Sequence, residues 1–335
     1  MPDKKSILLW AIAIFAISFF ALHAHIHERG FTYINSGNQV LRHEARLAGQ
    51  SPFFNPWQYR ILTTWAVEAL VTAYQKLGVR YPYYSAFTHF RFVQQLIIFA
   101  LCFFYFRRFT QNHLLTLTGV ILLGYAMSYG VWNSDLSFDT YMDIILYLLA
   151  FLSLEAGRFA WIIPISAVAA ANRETAILIP VFAGVLAVKS LWPPRFDRRE
   201  MTIACLAFAA FLIVSGAIQY HYGFAPPNKM VATDLGRLKL NLTDARTYFF
   251  VLGVVNVTLL LPIFFFGKLT PFLKRAFLAI VPIWFMAHYV MAHATESRLF
   301  LVPQAVVLIP ILLHLIDAGD RGGVDRRRES VDEAI

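Results

Sequence analysis

Charge is scarce in this 335-residue chain. Asp, Glu, Lys and Arg make up 15% of it, against roughly 25% in soluble globular domains. That shortage excludes an ordinary water-soluble enzyme. Cysteine is nearly missing, and the two that occur, Cys102 and Cys205, both fall in apolar runs. A disulfide framework and a thiolate metal site are thereby excluded. There is no glycine-rich phosphate loop of the Walker type, so the chain has no nucleotide-driven step of its own. No repeat of fixed period is visible.

What is abundant is apolar. Hydrophobic residues make up 58% of the chain, with 31 Phe, 15 Tyr and 7 Trp, and the mean hydropathy is +0.57. This is the composition of a polytopic membrane protein, with aromatics enough for both lipid-facing bulk and interfacial belts. A net charge of +9 would suggest nucleic acid as partner for a soluble protein. Here much of it sits in short loops between apolar runs, where it sets topology, and no nucleic-acid partner is expected.

Runs able to cross about 30 Å of hydrocarbon fall near 7–22, 91–106, 113–130, 139–155, 159–171, 175–191, 201–219, 247–266, 276–293 and 298–316. The expected fold is therefore an all-α transmembrane domain over 1–316 with about ten helices. The first run, preceded by Lys4-Lys5, resembles a signal peptide but lacks a good cleavage site, and reads as an uncleaved helix. The long first loop, 23–90, is expected outside, with an interfacial amphipathic helix near 59–77. A second outer loop covers 220–246, and the tail 317–335 reads as disordered. With both termini in the cytoplasm, more than half of the 29 Lys and Arg lie on the inner side in short loops and tails, as the positive-inside rule requires.

Ala171-Asn172-Arg173-Glu174-Thr175 interrupts about thirty residues of membrane-like sequence. Ionisable groups in hydrocarbon cost roughly 2.5–3.5 kcal/mol each and generally face a protein interior or a wet cavity. The run before this stretch is short, so the turn should sit below the outer surface, where non-helical backbone is tolerated only against protein or water. The same topology places Glu28, Arg60, Asp135, Asp139, Glu296 and Arg298 at outer helix ends or in outer loops. Asp135, Asp139 and Asp143 share one face if helical. Asp135 reads as a solvated loop residue or a cap within Asn133-Ser134-Asp135, and Asp139 as a possible cap. Arg298 opens a helix, where a cation is unfavourable without an anionic partner; Glu296 or a phosphate would serve. His23, His25 and His27 share a face only in an extended segment, so no metal site is indicated.

Gln58-Tyr59-Arg60-Ile61-Leu62, Phe138-Asp139, Ala171-Asn172-Arg173-Glu174-Thr175 and Glu296-Ser297-Arg298, in that order, resemble bacterial integral-membrane glycosyltransferases of the GT-C type. The resemblance implies a GT-C-like fold in the bacterial cytoplasmic (inner) membrane. It implies transfer of a sugar from a polyprenyl-phosphate donor to an acceptor at the outer face, with membrane lipid as partner and no cofactor. Glu28 matches by position the acid such enzymes place after their first helix. On that basis Glu28 or Asp139 takes the acceptor proton, and Arg60, Arg173 and Arg298 hold the donor phosphate. Asn172, Glu174, Glu296 and Asp143 support them. A transporter or flippase of a lipid-linked or anionic solute, or a non-catalytic membrane protein, would also accommodate buried charge. The inner halves of the runs are almost purely apolar apart from Glu155, which favours a site open to one side.

Overall fold

A computed structural model of the chain describes residues 4–50, 55–132, 135–225 and 235–319. Most of the expected tail and the middle of the second outer loop lie outside these residues. The chain is nearly all helix. A long α1 (Lys4–Arg29) leads to α2 (Phe31–Asn35), α3 (Asn38–Leu47) and α4 (Ile61–Lys76). There follow α5 (Pro82–Phe106), α6 (His113–Tyr129), α7 (Phe138–Glu155), α8 (Ile162–Ala170) and α9 (Leu178–Ala187). A hairpin of β1 (Val188–Leu191) and β2 (Pro194–Phe196) precedes α10 (Arg198–Tyr222). Then come α11 (Leu235–Thr243), α12 (Ala245–Val255), α13 (Leu261–Phe264), α14 (Pro271–Met291) and a last helix over Ser297–Gly319.

Six of the described helical segments are long and apolar enough to cross a membrane: Ile7–Arg29, Pro82–Phe106, Arg198–Tyr222, Ala245–Phe264, Pro271–Met291 and Ser297–Gly319. α6, α8 and α9 are apolar but shorter, and α7 carries Asp139, Asp143 and Glu155. Helical structure thus occurs at each apolar run read from the sequence. The stretch 59–77, where a helix is expected, carries α4 (Ile61–Lys76).

Local signals explain where the helices start. Asn112 accepts the amides of Leu114 and Leu115 to cap α6, and Asp197 and Thr270 cap α10 and α14 in the same way. These caps satisfy donors that have no partner inside the helix. Pro82 and Pro271 occupy first turns, where no amide is missed.

α7 and the last helix form the buried centre. α7 is buried at nearly every position from Phe138 to Leu154. At the periphery, α1 presents Leu8, Leu9, Phe19 and Phe20, and α10 presents Leu212 and Ile213. Such outward apolar faces would be an aggregation hazard in water, but in lipid they meet their own solvent. α8 is only nine residues long, about 14 Å of helix. Its turn into α9 therefore stops short of the outer surface if α8 starts at the inner one. α2, α3 and α4 close over that end, with Ile34, Val40, Val67, Val71, Phe87, Leu136 and Phe138 as a second small core. The amide of Leu62 donates to the carbonyl of Ala171 at 2.9 Å, tying the start of α4 to the α8–α9 turn.

Candidate functional site

The α8–α9 turn points its polar side chains at the first two turns of α7. Asn172 is fully buried; its Nδ2 donates to the main-chain carbonyl of Asp139 at 2.9 Å and to Oδ1 of Asp143 at 2.8 Å. Thr175 Oγ1 donates to the other Asp143 oxygen at 3.0 Å, and Arg173 Nε lies 3.6 Å from it. Asp143 is thus held entirely by this turn. That explains why Asn, Arg and Thr stand in an otherwise apolar run: a buried carboxylate needs each oxygen occupied.

Arg60 joins α4 to both partners. Nη1 donates to Asp139 at 2.8 Å, while Nε and Nη2 form a fork on Glu174 at 3.3 and 2.9 Å. Burial works against the charge on Arg60, but Glu174 and Asp139 outweigh it and raise its pKa above the usual value. Arg46 of α3 approaches the second oxygen of Asp139 at 3.9 Å. Asp139 is therefore flanked by cations on both oxygens.

Two guanidinium groups then meet at a neutral oxygen. Arg173 Nη1 and Arg298 Nη1 both donate to Thr140 Oγ1, at 3.0 and 2.9 Å. Arg298 also reaches Glu296 through Nη2 at 2.5 Å, the anionic partner its place at a helix start requires. The Nε atoms of both arginines are buried without a hydrogen-bond partner among the described residues.

Of the nine residues singled out from sequence, eight fall into this network: Arg60, Asp139, Asp143, Asn172, Arg173, Glu174, Glu296 and Arg298. Glu28 does not join it. It is one-third exposed at the end of α1, 3.6 Å from Arg29, whose Nη2 donates to the carbonyl of Val131. α1 is helical through Arg29, so His23 and His27 share a face, their rings 6.0 Å apart, while His25 lies off it. His25 turns inward onto the carbonyl of Met127.

Asp135 is not the solvated residue expected from its loop. It is buried, 3.3 Å from Arg42, and hydrogen-bonded by Ser137. Ser137 adopts φ 42° and ψ 57°, a left-handed conformation that non-glycine residues visit rarely. This turn brings Asp135 and Asp139 to one cluster. Burial alone would raise the Asp135 carboxyl, but Arg298, Arg42 and Arg46 overcome that and hold its pKa below the usual carboxylate value.

Sequence reading missed Arg42, Arg46, Thr140 and Arg91. Arg91 is fully buried in α5 with its face 3.5 Å from the Tyr141 ring centroid, and its three nitrogens have no hydrogen-bond partner among the described residues. A signal was available: Arg91, Gln94 and Gln95 share one helix face inside an apolar stretch.

The opposite end of the bundle holds a cleft of about 470 Å³ beside Arg108, Glu155, His314 and Asp317. Along α7, Asp143, Tyr147, Phe151 and Glu155 succeed one another at four-residue steps, so about 18 Å of helix separates the two carboxylates. Tyr147, Phe151, Phe182 and Trp284 are fully buried there, and Phe151 stacks on Phe182 at 4.6 Å. No known family, curated protein or solved structure matches this chain.

Proposed function

We propose that the chain is a membrane glycosyltransferase of GT-C type, moving a sugar from a polyprenyl-phosphate donor to an acceptor hydroxyl. In this reading it makes ten crossings of the bacterial cytoplasmic membrane, with both termini inside and the arginine cluster opening to the outer face. One observation carries the proposal: Arg173 and Arg298 converge on the hydroxyl of Thr140 rather than on a carboxylate. Like charges in a buried site repel, so such a pair is stabilised by an anion between them. A phosphate matches, because guanidinium groups offer planar donor forks to its oxygens.

The division of labour follows. Arg173 and Arg298 hold the donor phosphate and stabilise the charge it gains as the sugar leaves. Arg60 lends positive potential and locks Asp139 and Glu174 in place. Asn172 and Asp143 fix the turn that carries Arg173. The depth of that turn suits a donor whose tail stays in hydrocarbon. Asp139, inside the cluster, and Glu28, at the end of α1 and outside it, are the carboxylates this reading offers for proton transfer.

Transport is the competing reading, favoured by the cleft at the other end of the bundle. The buried Tyr147, Phe151, Phe182 and Trp284 between the two regions support a one-sided enzyme instead. The test uses purified protein in liposomes with a polyprenyl-phosphate hexose and glycerol as acceptor. Release of polyprenyl phosphate without movement of the labelled donor between leaflets supports the enzyme. Movement without release sinks it.

A further inference from the structure

A pocket beside the arginine cluster holds a second acid–base device. α3 turns Arg42, His43 and Arg46 toward α4, and the space between them is lined by Gln39, Thr63, Thr64, Asp135 and Ser137. Its volume is about 20 Å³, room for one water molecule or one hydroxyl group. Thr63 Oγ1 lines it, fully buried and without a hydrogen-bond partner among the described residues. A buried hydroxyl without a partner is destabilising, so the pocket is built to receive a polar group. Arg46 connects it to the cluster through Asp139, and Arg42, nearly half exposed, stands at its rim.

His43 is the group with chemistry there. It is buried, its ring lies edge-on to Phe87 at 5.5 Å, and Nε2 is 2.9 Å from Oε2 of Glu68 on α4. Facing an ionised carboxylate, Nε2 carries the proton and Nδ1 keeps the lone pair. Nδ1 has no hydrogen bond among the described residues. The carboxylates of the cluster are differently placed, since Asp139, Asp143, Glu174 and Glu296 each face a guanidinium.

We propose that His43, oriented by Glu68, is the catalytic base of the transfer, and that the pocket lined by Thr63, Thr64 and Arg46 receives the acceptor hydroxyl. This rests on the glycosyltransferase reading above. The acceptor O–H bond breaks and its proton passes to Nδ1. The acceptor oxygen bonds the anomeric carbon. The bond from that carbon to the donor phosphate breaks, leaving its electron pair on the phosphate oxygen beside Arg173 and Arg298. Glu68 stabilises the imidazolium through Nε2, and the proton on Nδ1 passes to water once the product has left, which restores the starting tautomer. Burial, the hydrogen bond and charge of Glu68, Arg46 and then Glu44 set the protonation of His43, and Phe87 of α5 packs on its ring. Burial prevails and lowers its pKa, so the imidazole is the neutral, proton-accepting form at neutral pH.

The experiment measures polyprenyl phosphate released from a polyprenyl-phosphate hexose, with glycerol as acceptor, for the wild type, His43→Gln, His43→Ala and Glu68→Gln. His43→Gln should lower kcat by about 10²–10⁴-fold, the usual worth of a positioned base, with binding of polyprenyl phosphate unchanged. The acid limb of the wild-type pH profile should vanish in that variant. Added imidazole should restore part of the rate to His43→Ala, which a merely structural histidine would not permit. A wild-type rate and pH profile in His43→Gln, with the loss appearing in Asp139→Asn or Glu28→Gln, returns the role to a carboxylate and overturns the proposal. If the wild type neither binds polyprenyl phosphate nor releases it, the glycosyltransferase reading fails and the base assignment with it.

Discussion

Replacing Arg60 by Ala removes three hydrogen bonds, and their loss is felt unequally. Glu174 is about half exposed, with a side-chain accessibility of 47%, so water replaces the guanidinium at little expense; exposed pairs contribute about 0–1 kcal/mol. Asp139 is 2% exposed. Without Arg60 the cation left beside it is Arg46 at 3.9 Å, beyond hydrogen-bond range. Breaking a buried pair from one side costs about 3–5 kcal/mol because the other charge stays buried. Arg60→Ala should therefore destabilise the protein by about 3–4 kcal/mol, nearly all of it through Asp139. The assay is reversible unfolding in micelles, run as a double-mutant cycle. Arg60→Ala/Asp139→Asn should recover at least half the loss, since the stranded charge is gone, whereas Arg60→Ala/Glu174→Gln should recover almost none. Equal recovery by both, or recovery only through Glu174, would refute the asymmetry.

Three further outcomes are expected. Asn172→Ala strands Asp143 Oδ1 and should cost about 1–3 kcal/mol in the same unfolding assay. Gly253→Ala forces a methyl group to within 2.0 Å of the Tyr129 ring; overpacking of that kind costs about 1–3 kcal/mol, and Tyr129→Ala/Gly253→Ala should relieve it. The third concerns pH. His43 has a folded-state pKa below the unfolded value of about 6.5, so the unfolded chain binds the proton first. Its contribution to stability is complete above that value and is lost as pH falls from there through the lower folded-state pKa. His43→Gln should flatten that part of the stability–pH curve relative to wild type.

The turn at Asn172-Arg173-Glu174 was legible because charge in an apolar run has few explanations. Arg60, Asp139, Glu296 and Arg298 were legible because one topology put them all at the outer end. The rest depends on tertiary docking. Nothing in Asn38–Leu47 announces that α3 folds back to aim Arg46 at Asp139, since an amphipathic helix in a polar loop has many possible partners. Thr140 is silent in sequence, and its role exists only because two arginines from distant helices reach it. Asp135 looked solvated because the left-handed turn at Ser137 has no sequence signature when the residue is not glycine. Arg91 opened an apolar run and so read as a boundary, whereas α5 begins nine residues earlier at Pro82 and carries it inside.

The most direct measurement is equilibrium binding of a polyprenyl monophosphate to the purified protein in nanodiscs, with the corresponding polyprenyl alcohol as control. If Arg173 and Arg298 hold the phosphate, the wild type binds the phosphate at least ten times more tightly than the alcohol. Each of Arg173→Ala and Arg298→Ala then removes about 1.5–3 kcal/mol, the usual worth of a hydrogen bond to a charged group, from the phosphate alone. Equal binding of phosphate and alcohol, or phosphate affinity unchanged in both folded variants, would contradict that role.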